Sequence, residues 1–161
     1  MKNYLQKIVS RTELLQQVER LKREGKTVVF TNGCFDLFHA GHVRLLQQAR
    51  NQGDVLIVGL NSDASVTQNK GSGRPIHSVK DRAELLAALQ SVDYVVVFEE
   101  ASVWELVSQV KPDILVKGGD WGAEIVGREI IEADGGKVVS IAVSEGLSTT
   151  NIIRKIQQLK S

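Results

Sequence analysis

The sequence predicts an α/β fold in which a parallel sheet is covered by helices on both faces. Three observations lead there. Short apolar runs recur at residues 27–32, 55–60, 94–98, 114–117 and 137–143. Capped or amphipathic stretches separate them, so strand and helix alternate from residue 27 onward, the pattern of sheets built from βαβ units. The strand centres, such as Val28-Val29-Phe30 and Val55-Leu56-Ile57-Val58, are apolar without alternation, as strands buried on both faces require.

Each element has its own local signal. Ser10-Arg11-Thr12-Glu13 fits a capping box, with Leu14, Leu15, Val18 and Leu21 at helical spacing and Gly25 as the stop. Strand 27–32 is followed by a polar turn and a helix over 43–51, closed by Gly53. Residues 67–77, TQNKGSGRPIH, read as a loop because they are polar and glycine-rich. Ser78 opens a helix that runs to Gln90, and Ser102-Val103-Trp104-Glu105 reads as a second capping box for a helix ending near Val110. Pro112 separates that helix from strand 114–117. A helix over 125–133, a Gly135-Gly136 turn, strand 137–143 and a helix over 149–159 complete the chain. Trp104 stands at helical spacing with Val107 and is expected in the core. Trp121 stands in a loop and is expected beside a ligand.

The 161 residues suffice for one domain, 1–161, with residues 1–25 packing a helix on the core. Twenty basic and nineteen acidic residues give a net charge of +1 without a basic stripe, so no nucleic-acid partner is expected. A single cysteine, Cys34, permits no internal disulfide and favours a reducing compartment. There is no apolar leader and no apolar run near the ~20 residues a membrane helix needs. The expectation is a cytoplasmic protein with no membrane partner.

In parallel sheets of this kind ligands bind beyond the carboxyl ends of the strands. The loops that fall there hold Thr31 to His42, Asn61 and Asp63, Lys70 and Arg74, Lys117 to Trp121, and Ser144 to Thr150. They are rich in glycine, hydroxyls, histidine and cations, which is phosphate-binding chemistry. His39 and His42, three residues apart, share one face of a first helical turn, and Gly41 between them leaves room for a ligand. Three readings of the pair remain open on spacing alone. The rings could donate to a phosphate, they could bind a metal with Cys34 or Asp36, or they could cap the helix. Ser148-Thr149-Thr150 is an N-cap in the plain reading and part of an anion cradle in the other. Cys34 reads as a small filler, and Asp120 as a turn cap or a partner for a ribose.

TNGCFDLFHAGH (31–42) resembles the T-x-G-x-F-D-x-x-H-x-G-H signature of the cytidylyltransferase-like nucleotidyltransferases, and SEGLSTTNIIRKI resembles that superfamily's second signature. Glycerol-3-phosphate cytidylyltransferases carry Arg-Thr where this chain has Val143-Ser144. GLNSDAS, KGSGRPI, VDYVVVFEE and PDILVKGGDW together are similar to the D-glycero-β-D-manno-heptose 1-phosphate adenylyltransferases, in a stand-alone version without a kinase half.

The resemblance implies a Rossmann-like three-layer sandwich with a five-stranded parallel sheet of order 3-2-1-4-5. It implies adenylyl transfer from ATP with Mg²⁺, a sugar 1-phosphate acceptor and a homodimer. It assigns His39, His42 and Lys70 to catalysis. It assigns Thr31, Asn32, Gly33, Phe35, Asp36, Gly41, Gly119, Asp120, Ser148, Thr149 and Thr150 to the nucleotide, and Asn61, Asp63, Arg74 and Arg82 to the acceptor. No protein metal ligands are expected, because the phosphates would carry the magnesium. Another small-substrate nucleotidyltransferase, such as a glycerol-3-phosphate cytidylyltransferase, and a non-catalytic ATP-sensing module are the alternatives.

Overall fold

The computed structural model describes residues 3–119, 124–142 and 146–159. Five strands form one sheet: β1 (Val28–Gly33), β2 (Val55–Asn61), β3 (Tyr94–Phe98), β4 (Ile114–Gly118) and β5 (Lys137–Ile141). All neighbours are parallel and the order is β3-β2-β1-β4-β5, as the resemblance implies. The helices are α1 (Arg11–Arg23), α2 (Ala40–Arg50), α3 (Asp63–Lys70), α4 (Val79–Ala88), α5 (Trp104–Val110), α6 (Arg128–Ala133) and α7 (Thr149–Gln158).

The apolar strands bury both faces. Leu14, Val18 and Leu21 of α1, Leu106 of α5 and Ile131 of α6 pack on one face, against Phe30 and Ile57. Leu46 and Ala49 of α2 and Leu86 and Ala87 of α4 pack on the other, against Val29, Val58 and Val116. The result is three layers. Three aspartates tie the strand entrances together. Asp54, Asp93 and Asp113 each stand one residue before a strand. Their carboxylates accept the N–H of Thr27 at 2.8 Å, Leu56 at 2.8 Å and Val28 at 2.7 Å on the neighbouring strand. Charged acceptors on these backbone donors help fix the register.

The chain passes from β1 outward through β2 to β3 and then returns to the other side of β1 with β4. The switch in direction therefore lies between the carboxyl ends of β1 and β4, where a crevice is expected.

Several local expectations are corrected. Residues 67–70 are not loop: Ser62 caps α3 by accepting the Ser65 N–H, and the helix runs to Lys70 before Gly71 at φ +97° stops it. Ser102–Glu105 is not a capping box. The N-cap is Val103, without a side-chain cap, while Glu105 reaches Arg11 instead. The helix expected over 125–133 begins only at Arg128, because Gly127 sits at φ +88°. Trp104 is not core: it is 49% exposed, and its indole N–H donates to Glu129 at 2.8 Å.

Gly59, in the middle of β2, faces the Phe30 ring: an added Cβ would stand 2.7 Å from its Cζ. Gly59→Ala is expected to cost about 1–3 kcal/mol by overpacking, read as a lower urea midpoint. An unchanged midpoint would mean that this packing carries no strain.

Candidate functional site

The loop leaving β1 holds two residues in the left-handed region, Phe35 at φ +47° and Leu37 at φ +45°. Non-glycine residues are rarely held there, and the surroundings must stabilise them. His39 follows as the N-cap of α2 in extended conformation, and its Nδ1 accepts the Gly41 N–H at 3.1 Å. His42 reaches back, and its Nδ1 accepts the His39 N–H at 3.4 Å. The rings stack with centroids 3.8 Å apart, and Phe35 and Phe38 flank His42 at 5.2 Å each.

This reciprocal cap has a chemical consequence. A ring nitrogen that accepts an N–H carries no proton, so each neutral imidazole keeps its proton on Nε2. Burial, with His39 alongside, lowers the His42 pKa to about 4 against the opposing pull of Asp36. Burial lowers His39 as well. His42 is therefore a neutral N–H donor at neutral pH, fixed in orientation and tautomer. Gly41 is required by this arrangement: a Cβ there would stand 2.9 Å from the His39 ring and 3.3 Å from Leu147 Cβ.

Asp36 anchors the surrounding loops. It is 2% exposed and accepts from Arg74 Nε at 2.7 Å and from the N–H groups of Ile76 at 2.9 Å, His77 at 3.0 Å and Leu37 at 3.1 Å. Burial pushes its pKa upward, but the bonds from His77, Ile76 and Arg74 outweigh this and hold it below the usual carboxylate range. Its carbonyl accepts the Thr149 hydroxyl at 2.6 Å, which docks the start of α7 onto the β1 loop. Arg82 is 1% exposed and donates to the carbonyls of Cys34 at 2.7 Å, Asn61 at 2.9 Å and His77 at 3.1 Å, and to Asp63 Oδ1 at 2.6 Å. Its place is beneath the site, where it ties together the loops after β1 and β2 and the turn before α4.

Two cavities open at the carboxyl ends of the strands. The first, about 370 Å³, gathers His42, Lys70, Arg74, Lys117, Gly118 and Thr149 with Asn32, Gly33, Phe35 and Asp36. The second, about 230 Å³, is lined by Asn61, Asn69, Phe98, Ser102 and Ile125 among others, and it shares Asn32 and Lys117 with the first. Lys117 closes β4 at the switch between β1 and β4, and its ammonium donates to Asn32 Oδ1. Burial lowers its pKa to about 8. No role was read for this residue from the sequence. The available signal was a lone cation ending an otherwise apolar strand on the ligand edge.

The remaining candidates fall as follows. The Thr31 hydroxyl is buried and has no hydrogen-bond partner among the described residues. Ser148 caps α7 by accepting the Asn151 N–H at 3.1 Å, and Thr150 is exposed on the first turn. Gly119, at φ +103°, donates its N–H to Ile141 at 2.8 Å. Asp63 pairs with Arg82, and Lys70 is exposed at the end of α3. Cys34 is half-buried, and burial raises its thiol pKa. Asp120, Trp121, Val143 and Ser144 lie outside the described residues. Among the described residues no three His, Cys, Asp or Glu side chains come together as a metal site. No helix among them is long and apolar enough to cross a membrane.

Comparisons with known proteins fit this geometry. Residues 30–155 match the family described as cytidylyltransferase-like. The chain is 54% identical over 154 residues to the bifunctional protein HldE of Syntrophotalea carbinolica, covering 95% of this chain and 31% of that protein. It is 54% identical over 147 residues to the same-named protein of Pseudomonas paraeruginosa, covering 91% and 31%. The chain thus spans about a third of the length of these curated relatives. A crystal structure of the lipopolysaccharide core biosynthesis protein from Thermoplasma volcanium is 30% identical with a TM-score of 0.61, covering 74% of this chain and 98% of that one. Pantoate-beta-alanine ligase from Francisella tularensis, 16% identical with a TM-score of 0.64 and covering 96% and 79%, shares the fold.

Arg82→Ala would leave one buried and two partly buried carbonyls without this donor. It is expected to cost about 3 kcal/mol or more, read by urea unfolding. A loss below about 1 kcal/mol would show that the loops hold without it.

Proposed function

Because this chain belongs to the cytidylyltransferase-like family of nucleotidyltransferases, we propose that it transfers the adenylyl group of ATP to D-glycero-β-D-manno-heptose 1-phosphate. The products are ADP-heptose and pyrophosphate, and the product is a precursor for a surface glycan such as the lipopolysaccharide core. The observation that carries the chemistry is the His39–His42 cap, which engages both Nδ1 atoms and leaves the Nε2–H groups as donors, with His42 in the wall of a cationic cavity. The choice of acceptor is supported by the segments GLNSDAS, KGSGRPI and PDILVKGGDW, by the 54% identity to the HldE proteins and by the named role of the Thermoplasma protein.

An oxygen of the sugar 1-phosphate attacks the α-phosphorus of ATP. The new P–O bond forms as the bond to the β-phosphate breaks, and pyrophosphate leaves with the electron pair. A phosphate monoester dianion is already nucleophilic, so the protein need not supply a general base. Its contribution is positioning and charge stabilisation. His39 and His42 donate to phosphate oxygens as their charge builds. Lys70 and Arg74 offset the repulsion between two anionic reactants. The start of α7, Ser148 to Thr150, turns its N–H groups toward the triphosphate.

Magnesium enters as part of the nucleotide substrate. Its usual shell is phosphate oxygen and water with one or two carboxylates, and among the described residues the one carboxylate lining the first cavity, Asp36, already accepts from four donors. The reading includes a cytoplasmic location, where ATP is abundant. It also includes a homodimer, for which the exposed Ile156 of α7 and Leu159 just after it offer an apolar surface.

His42→Ala is expected to lower kcat by ~10²-fold, as loss of one preorganised donor does, with the circular dichroism spectrum unchanged. The reading itself is tested by pyrophosphate release. ATP and CTP are each offered with heptose 1-phosphate, other sugar 1-phosphates and glycerol 3-phosphate. Turnover is expected with ATP and heptose 1-phosphate. Preference for CTP with glycerol 3-phosphate would replace the reading. Tight ATP binding without pyrophosphate release on any acceptor would make the chain a binding module.

A further inference from the structure

Lys117 has a position that the His pair, Lys70 and Arg74 do not share. It lies in the wall of both cavities, at the switch point, on the strand that borders β1. Its ammonium has a neutral partner, the Asn32 side-chain oxygen, and it is not among the ion pairs of the described residues. A half-buried ammonium without a counter-charge is costly unless an anion arrives. The two cavities differ in chemistry. The first carries Lys70, Arg74 and the His42 donor. In the second, Lys117 is the only cation among the described lining residues. The rest of that lining is amide and hydroxyl, from Asn32, Asn61, Asn69 and Ser102, with one carboxylate, Glu124, over the apolar Phe98, Val103 and Ile125. Amides and hydroxyls over an apolar floor suit a polyhydroxylated ring. At about 230 Å³ the space lies below the roughly 300–1,000 Å³ of sites for drug-sized ligands, which fits a monosaccharide better than a nucleotide.

We propose that the second cavity holds the acceptor sugar and that Lys117, at the junction, binds the acceptor's phosphate and presents its oxygen to the α-phosphorus in the first cavity. This rests on the adenylyl-transfer reading and adds the division of the site and the residue that joins its halves. An anion at Lys117 also relieves the desolvation that lowers the lysine's pKa, so acceptor binding and a full positive charge there reinforce each other. Asn32 orients the ammonium from β1, and Lys117 makes contact with the substrate.

The test compares wild-type protein with Lys117→Met and Lys117→Arg. Calorimetric binding of heptose 1-phosphate and of ATP is measured separately, alongside kcat and KM for each substrate. Lys117→Met is expected to weaken heptose 1-phosphate binding at least 10-fold and to raise its KM correspondingly, while ATP affinity stays within about 3-fold. Lys117→Arg, which keeps the charge, is expected to recover part of the loss. Equal weakening of both ligands would place Lys117 on the nucleotide and overturn the inference, and so would unchanged sugar-phosphate binding in Lys117→Met. Wild-type protein that turns over normally while Lys117→Met binds and reacts alike sinks the inference and leaves the reading intact. Wild-type protein that neither binds nor adenylylates heptose 1-phosphate sinks the reading. Lys117 is then judged by the same binding comparison with the sugar 1-phosphate that the panel selects, and absence of any sugar 1-phosphate binding overturns the inference as well.

Discussion

A carboxylate with almost no exposed surface has to be matched by donors, and Asp36 draws its donors from segments far apart in sequence. Arg74 and the N–H groups of Ile76 and His77 come from the loop before α4, and Thr149 comes to its carbonyl from the start of α7. The β1 loop with its two left-handed residues is held by these bonds and by Arg82 on the Cys34 carbonyl. Without that frame, His39 and His42 would have no fixed place relative to Lys70, Arg74 and α7. Low conformational cost at the moment of reaction is what preorganised donors require, and here it depends on one buried anion and one buried cation.

The two histidines cap the helix, and the same geometry is compatible with the proposed phosphate role. Capping engages each Nδ1, which leaves each Nε2–H free of tautomeric ambiguity. Stacking and the flanking Phe35 and Phe38 bury His42 enough to keep it uncharged. A neutral donor does not compete with magnesium or the cationic side chains for the triphosphate, yet it can strengthen its hydrogen bond as charge grows on a phosphate oxygen. Gly41 follows from this packing, since the His39 ring occupies the space a side chain would need.

The fold was legible because its strands are short, apolar and separated by clear caps. The Ser10–Glu13 capping box and the Gly25 stop are present as read, and the sheet order matches the one that the signature resemblance implies. What misled were signals with two local meanings. TQNK looks like loop by composition, but Ser62 and Gly71 supply a cap and a stop that composition does not weigh. Trp104 has core spacing, yet Glu129, distant in sequence, satisfies its indole on the surface. For the site, the residues at the carboxyl edge could be named, because parallel topology places their loops together. The loop-tying bonds of Arg82, which the resemblance assigns only to the acceptor, and the place of Lys117 could not, since burial and cavity walls arise from contacts across many residues. Lys117 in particular reads as an ordinary strand end until the second cavity is seen beside it.

The most direct test of this account is the protonation of the two imidazoles, observed by ¹⁵N nuclear magnetic resonance of histidine-labelled protein. The account predicts that at pH 7 both His39 and His42 are neutral, with unprotonated Nδ1 and protonated Nε2. It predicts further that His42 stays in this form until the pH falls toward about 4. Because its folded pKa lies below the ordinary value, the unfolded chain takes up this proton first, so stability should decline as pH falls from about 6.5 toward 4. A protonated Nδ1 on either ring at pH 7, or a doubly protonated His42, would contradict the account, because the donors would then be neither fixed nor neutral.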